Sequence, residues 1–333
     1  MLINLIFACL CHGISGISSC VIAFFSTAFN SGGIGHVEML FRCNILALVG
    51  GGRTPRYSPN KVILWDDHQN RCIGELSYRN DIRSVKLRRD RIVVVVNTKV
   101  YVYNFSDLKL LDTIDTINNE RALVALSPKT EGMVLAVPGT QVGHVRVELY
   151  EMRKTTHIAA HETALACMAL SYDGSRLATA SEKGTLIRVF DTKTGKLLHE
   201  LRRGAERAEI YSISFHPSNE WLAVSSDKGT VHVFKLEEVE KANKSSNPTS
   251  SLSFFSSLLP KYFSSQWSFA QFKVPDVRNI VAFGADKNSI VVVCADGTFF
   301  KALYDPEKPG AECTQVSFVE FLRKSEETGL EQA

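Results

Sequence analysis

The 333-residue sequence lacks the features that announce most enzymes and metal centres. Its eight cysteines stand at 9, 11, 20, 43, 72, 167, 294 and 313, and none makes the CxxC or knuckle spacing that zinc or a redox pair needs. No metal site is expected. No phosphate-binding glycine loop or dinucleotide fingerprint occurs either; Gly50-Gly51-Gly52 lies between two apolar runs and reads as a turn. No nucleophile, base and orienting group stand out together, so the chain does not read as an enzyme and no cofactor is expected. Long amphipathic helical patterns are missing, which removes the helical and doubly wound α/β folds. A large charge excess is missing too. The formal net charge is +3 and the pI near 8.4, so nucleic acid is not an expected partner and any anion recognition has to come from local clusters.

The sharpest absence is local: Met1 to Asn30 contains no Lys, Arg, Asp or Glu. A secretory signal would carry a basic start, and a spanning helix needs about 20 predominantly apolar residues, whereas His12-Gly13-Ile14-Ser15-Gly16 interrupts this run. Residues 1–31 are therefore set apart as an atypical apolar segment, with three readings: a divergent start of the folded domain that follows, a targeting segment, or a gene-model artefact. Several cysteines sit inside apolar runs such as Val291-Val292-Val293-Cys294, where a thiol packs as a small hydrophobe, and this suits a reducing compartment.

What is present is a repeat. Gly174-Ser-Arg-Leu-Ala-Thr-Ala-Ser-Glu-Lys-Gly-Thr-Leu-Ile-Arg-Val-Phe190 is echoed by Asn219-Glu-Trp-Leu-Ala-Val-Ser-Ser-Asp-Lys-Gly-Thr-Val-His-Val-Phe234, placing Thr185 and Thr230 45 positions apart. That is the period of a WD40-type blade. A third copy, Ile290-Val-Val-Val-Cys-Ala-Asp-Gly-Thr298, arrives 68 positions after Thr230, so an insertion separates them. Each unit alternates apolar and polar residues around a Lys-Gly or Asp-Gly turn, the period of strands. Weaker copies run through Val37–Asp67, Ile82–Phe105 and Ala122–Tyr150. The expected fold is an all-β, WD40-type propeller over residues 32–323 with a tail at 324–333. Six blades are recognisable. The seventh is expected from the odd N-terminus joined with Gln315–Leu322.

His199-Glu-Leu-Arg-Arg-Gly-Ala205 reads as the outermost strand of its blade. Neighbouring side chains on a strand point to opposite faces, so Arg202 and Arg203 should serve two different ligands. Donors suited to phosphate oxygens lie on either side: His161, Ser181, Thr185 and Arg188 with Arg202, and Ser225, Ser226, Thr230 and His232 with Arg203. Spacing alone leaves a second reading open, in which these are ordinary blade turns beside a solvated edge.

Leu201-Arg-Arg-Gly204, flanked by Ser181-Glu-Lys-Gly-Thr185 and Ser226-Asp-Lys-Gly-Thr230, resembles the signature of the PROPPIN family. Gly35-His-Val-Glu-Met-Leu-Phe-Arg-Cys43, Lys86-Leu-Arg-Arg-Asp-Arg-Ile-Val-Val-Val95 and Leu259-Pro-Lys-Tyr-Phe-Ser-Ser-Gln-Trp-Ser-Phe269 resemble its type 3 WD-repeat phosphoinositide-interacting members. The resemblance runs from about Gly32 to Leu322 and fails before Gly32, where the family's first-blade strands are not recognisable. It implies a seven-bladed propeller that binds phosphatidylinositol 3-phosphate and phosphatidylinositol 3,5-bisphosphate at two sites flanking the arginine pair. It also implies a cytoplasmic, peripheral position on preautophagosomal, endosomal or lysosomal membranes, and recruitment of autophagy machinery, including the autophagic lipid-transfer protein. The loop Gly50–Asn60 is the candidate contact for that partner.

Residues 237–266 form the insertion and read as a membrane-facing loop. Phe254, Phe255, Leu258, Leu259 and Phe263 would be a liability if merely exposed, yet suit a wedge in the acyl boundary. Packing of the same residues on the propeller flank is the other reading. A second basic doublet, Arg88-Arg89, is followed by Asp90 and has no matched Ser-x-Lys-Gly-Thr turn beside it, so it reads as a solvated turn. The competing function is a WD-repeat scaffold for proteins alone, which needs neither the Arg-Arg-Gly strand nor the apolar insertion.

Overall fold

The computed structural model describes residues 32–41, 43–236 and 265–321, together with the backbone of strands at 3–10 and 22–29. Every regular element among them is a strand. Strands β1 (Ile3–Leu10) and β2 (Ile22–Phe29) pair antiparallel as a two-stranded sheet, Ile3 opposite Phe29 and Leu10 opposite Ile22. Among the described residues this N-terminal sheet has two strands rather than four.

Six larger sheets follow. The second contains β3 (Ile34–Met39), β4 (Ile45–Gly50), β5 (Lys61–Asp66) and β6 (Arg71–Ser77), and the third β7 (Ser84–Leu87), β8 (Arg91–Val95), β9 (Lys99–Asn104) and β10 (Leu110–Asp115). The fourth contains β11 (Ala125–Leu126), β12 (Val134–Pro138), β13 (His144–Leu149) and β14 (Lys154–Ala159). In the fifth, β15 (Leu165–Leu170), β16 (Arg176–Ser181), β17 (Leu186–Asp191) and β18 (Leu197–Arg202) form the antiparallel meander of the repeat. The sixth begins with β19 (Ile210–Phe215), β20 (Trp221–Ser226) and β21 (Thr230–Lys235). The chain then returns as β22 (Gln266–Trp267), which pairs parallel with β18 of the fifth sheet, before β23 (Ala270–Lys273) completes the sixth. The seventh sheet takes β24 (Asn279–Phe283), β25 (Ser289–Cys294), β26 (Thr298–Leu303) and β28 (Thr314–Glu320), while β27 (Ala311–Glu312) pairs parallel with β23.

First strands of consecutive sheets, such as β15, β19 and β24, lie against one another, so the sheets radiate from a common axis as propeller blades. Alternation along each strand sends one row of side chains to each neighbour. Leu177 and Phe190 of the fifth sheet pack with Val145, Val147 and Ile158 of the fourth, whereas Ala178, Ala180, Ile187, Val189 and Leu201 pack with Ile213, Leu222, Val224 and Phe234 of the sixth. The opposite face of the sixth sheet, Ala223, Val231 and Val233, packs with Val281, Ile290 and Val292 of the seventh. Each fully buried aliphatic side chain of this kind contributes about 1.5–3 kcal/mol.

Two expectations need correction. β18 is not the outermost strand of its sheet, because β22 lies outside it. The C-terminal stretch does not join the N-terminal segment; Thr314–Glu320 pairs with β26, where Phe318 sits opposite Phe300 and their rings meet at 5.1 Å. No helix among the described residues is long and apolar enough to cross a membrane.

Candidate functional site

The matched turns explain how the site is held. In Ser181-Glu-Lys-Gly-Thr185, Gly184 N donates to the Ser181 carbonyl at 2.9 Å and Gly184 has φ +61°, a conformation open to glycine with little strain. A side chain there would also collide with the Ala208 carbonyl. Gly229 repeats the geometry in the next blade with φ +60°. Each turn closes a hairpin and delivers its Thr to the start of the following strand.

The arginine pair lies where β18 ends. Leu201 belongs to the core between the fifth and sixth sheets, so Arg202 projects from the other face, the one it shares with Thr179, Arg188 and Glu200. Arg202 is buried, 8% exposed, and its Nε donates to Ser265 Oγ at 2.7 Å. Arg203 is equally buried at 7% and turns elsewhere. Its backbone N donates to the Thr185 carbonyl at 3.0 Å, its Nε to the Gly184 carbonyl at 3.1 Å, and its Nη2 to the Glu206 carbonyl. Burial depresses the Arg203 pKa, and the carboxylates of Asp227 and Glu206 work against that shift.

Around Arg202 the structure gathers His161, Ser181 and Arg188 on the face toward the fourth sheet. His161 Nε2 meets Thr179 Oγ1 at 3.0 Å. Ser181 shares its strand face with Thr179, and its partner in register is Leu165 of the same interface. Arg188 donates to Glu200 Oε2 at 2.9 Å and to the Ala160 carbonyl at 2.8 Å, so its charge is partly neutralised. Burial, followed by the Arg188 charge, pushes the His161 pKa down to about 4 and leaves the ring neutral near pH 7.

Around Arg203 stand His232, Ser226 and Thr230 on the face toward the fifth sheet. His232 Nδ1 lies 3.2 Å from Ser268 Oγ, and burial plus the nearby Arg203 charge push its pKa down to about 4. Ser226 Oγ accepts from Lys228 N at 3.4 Å, and Thr230 Oγ1 donates to the Lys228 carbonyl at 3.4 Å. Ser225 departs from the expected set. It pairs in register with Val231 and shares its face with Ala223, the side packed on the seventh sheet. Its Oγ is buried there without a hydrogen-bond partner.

Sequence reasoning missed Thr179, Glu200, Ser265 and Ser268. Thr179 and Glu200 were within reach by alternation from Ser181 and Arg202, but Ser265 and Ser268 stand at and just past the far end of the insertion, and nothing local ties them to the arginine pair. Of the wedge residues, Phe254, Phe255, Leu258, Leu259 and Phe263 lie outside the described residues. The doublet Arg88-Arg89 is not a uniformly solvated turn. Arg89 is exposed, its guanidinium 5.5 Å from the Phe41 ring, but Arg88 is buried, donating to Asp90 Oδ1 at 2.7 Å and to the Thr130 carbonyl at 2.6 Å. Gly52 to Arg56 form an exposed loop bridged to Gly33 at Pro55. No group of three or more His, Cys, Asp or Glu suited to a metal occurs among the described residues.

Comparison with known proteins bears on the family and the fold. The PROPPIN family model matches residues 28–298. Autophagy-related protein 18e of Arabidopsis thaliana is 41% identical over 91% of this chain and 80% of its own length, and SVP1-like protein 2 of Pichia angusta is 38% identical over 80% and 78%. Among solved structures, Hsv2 of Kluyveromyces lactis superposes with TM-score 0.69 at 21% identity, covering 90% of each chain. KlAtg21, solved in complex with the coiled-coil of AgAtg16, superposes with TM-score 0.72 at 24% identity, again over 90% of each chain. A family match over most of the chain, joined to the paired Lys-Gly-Thr turns around Arg202 and Arg203, makes the protein a member of the PROPPIN family, non-enzymatic β-propeller scaffolds.

Proposed function

We propose that the chain reads 3-phosphorylated phosphoinositides, phosphatidylinositol 3-phosphate and phosphatidylinositol 3,5-bisphosphate, at autophagic membranes and recruits autophagy machinery there. The observation that carries this reading is the divergence of two adjacent guanidinium groups, Arg202 on the strand face that also carries Ser181, Arg188 and the Thr179 hydroxyl met by His161, and Arg203 beside the neutral imidazole of His232. Such a cradle suits a phosphomonoester. Arginine supplies charge-assisted contacts, while neutral His, Ser and Thr supply donors without the cost of further buried charge.

Two headgroup sites on one rigid rim turn the second contact into an intramolecular event, for an avidity gain of about 10² to 10⁴. The apolar wedge of the insertion would add a third contact. On this reading the protein associates peripherally with preautophagosomal, endosomal or lysosomal membranes, and the autophagic lipid-transfer protein engages a surface away from the lipid rim, with Gly50–Asn60 as the candidate loop. The test is sedimentation with vesicles containing phosphatidylinositol 3-phosphate. The double variant Arg202→Thr, Arg203→Thr should lose vesicle binding while retaining its circular dichroism and melting transition. Equal binding by parent and double variant would overturn the proposal in favour of a protein-only scaffold.

A further inference from the structure

Trp267 is the largest exposed apolar side chain among the described residues, 52% exposed on the short rim strand β22. Its placement follows from register. β22 runs parallel to β18 with Gln266 beside Leu201 and Trp267 beside Arg202. Register partners in a sheet share a face, so the indole leaves the sheet on the same side as Arg202, one strand further out.

Two hydrogen bonds fasten the residues that lead into the tryptophan. Ser265 Oγ accepts from Arg202 Nε at 2.7 Å, and Gln266 Nε2 donates to the Lys235 carbonyl at 2.8 Å, across to the sixth sheet. The indole is therefore presented on a rigid element. An aromatic body with one polar N–H is suited to the zone where headgroups meet acyl chains, and tryptophan concentrates there in membrane proteins. A lipid whose phosphorylated headgroup meets Arg202 places its glycerol and acyl region at this rim.

We propose that Trp267 is an interfacial anchor: its indole enters the glycerol and upper acyl zone of the bilayer that supplies the headgroup at Arg202. The occupant of this surface is lipid rather than protein, because the indole continues the face that carries Arg202 and is separated from it by a single strand step. The assignment rests on the headgroup reading of the first site and adds to it a contact built into the sheet itself.

The chain has three tryptophans, Trp65, Trp221 and Trp267, and Trp221 is buried in the core. Vesicles of phosphatidylcholine with phosphatidylinositol 3-phosphate, part of the phosphatidylcholine brominated on its acyl chains, should quench tryptophan emission of the parent protein. Trp267→Phe should still sediment with these vesicles but lose the quenching. Trp267→Ala should lower vesicle affinity about tenfold, the scale for returning a half-exposed aromatic to water. Its affinity for soluble inositol 1,3-bisphosphate, measured by calorimetry, should be unchanged.

Bound parent protein without quenching, or quenching that persists in bound Trp267→Phe, overturns the anchor and leaves the headgroup sites standing. Equal loss of vesicle and soluble headgroup binding in Trp267→Ala also overturns it, since the residue would then only shape the first site. A parent protein that binds neither vesicles nor soluble headgroup overturns both readings at once.

Discussion

Arg202 Nε donates to Ser265 Oγ at 2.7 Å, joining the strand that carries the arginine pair to the chain returning from the insertion. The same segment continues to Ser268, whose hydroxyl meets His232 beside Arg203. One four-residue stretch thus touches both candidate sites, through Ser265 at the first and Ser268 at the second. The insertion does not hang from a single blade. It leaves the sixth sheet after β21, borders the fifth through β22 and re-enters the sixth as β23.

Because the two guanidinium groups face different sheets, single substitutions should separate the sites. Arg202→Thr and Arg203→Thr should each reduce soluble inositol 1,3-bisphosphate binding from two equivalents to one in calorimetry. Vesicle affinity should fall by about 10² or more in either variant, since avidity is lost with one contact. One variant that removes both equivalents would show a single shared pocket.

Both site histidines tie stability to pH. His161 and His232 have pKa values near 4 in the fold against an ordinary 6.5, chiefly through burial. Between those values the unfolded chain binds more protons than the folded one, so this stability is complete above about pH 6.5 and is lost as pH falls through 4. Each ring accounts for at most about 3 kcal/mol. Melting temperature should therefore drop between pH 6.5 and 4.5, and the double variant His161→Gln, His232→Gln should flatten that part of the curve. An unchanged slope in the double variant would assign the acid lability to other groups.

How far the sequence could be read depended on whether the information was local. The Lys-Gly-Thr turns and the alternation of Thr230-Val-His-Val-Phe234 fix their strands within a few residues, and strand parity alone separated Arg202 from Arg203. Pairings made across a long interruption were not visible. Nothing in Gln266-Trp267 says that it will lie parallel to β18, because parallel pairing at a rim is settled by the blades already in place. The seventh sheet misled for a similar reason. Gln315–Leu322 alternates well enough to pair with any free edge, and the edge it takes belongs to β26. Arg88 shows the opposite error, since a charged doublet before Asp90 looks solvated until the Thr130 carbonyl, in the loop between β11 and β12, accepts a hydrogen bond from its guanidinium.

The adjacent serines of the second turn should behave differently. Ser226 shares its face with Val224 and His232, toward Arg203, while Ser225 is turned to the seventh sheet with its hydroxyl unpartnered. Ser226→Ala should weaken headgroup binding at the second site several-fold. Ser225→Ala should leave binding unchanged and hold or raise the melting temperature, because it removes a buried hydroxyl that makes no hydrogen bond. Loss of headgroup binding in Ser225→Ala would mean that the strand face has been assigned the wrong way round.

Gly184 connects turn, fold and site in one residue. Its φ of +61° disfavours any side chain, a Cβ would collide with the Ala208 carbonyl, and its own carbonyl accepts from Arg203 Nε. Gly184→Ala should therefore cost more than about 2 kcal/mol, well beyond the usual gain from stiffening the unfolded chain. To relieve the collision the turn has to move away from Ala208, and the carbonyl that orients Arg203 moves with it. Binding at the second site should then fall more than binding at the first in protein that is still folded at low temperature. Gly204→Ala is the control, for a Cβ at Gly204 meets nothing within 4 Å and φ there is not positive. If Gly184→Ala binds two headgroups as the parent does, the Gly184 carbonyl has no part in holding Arg203 for its ligand.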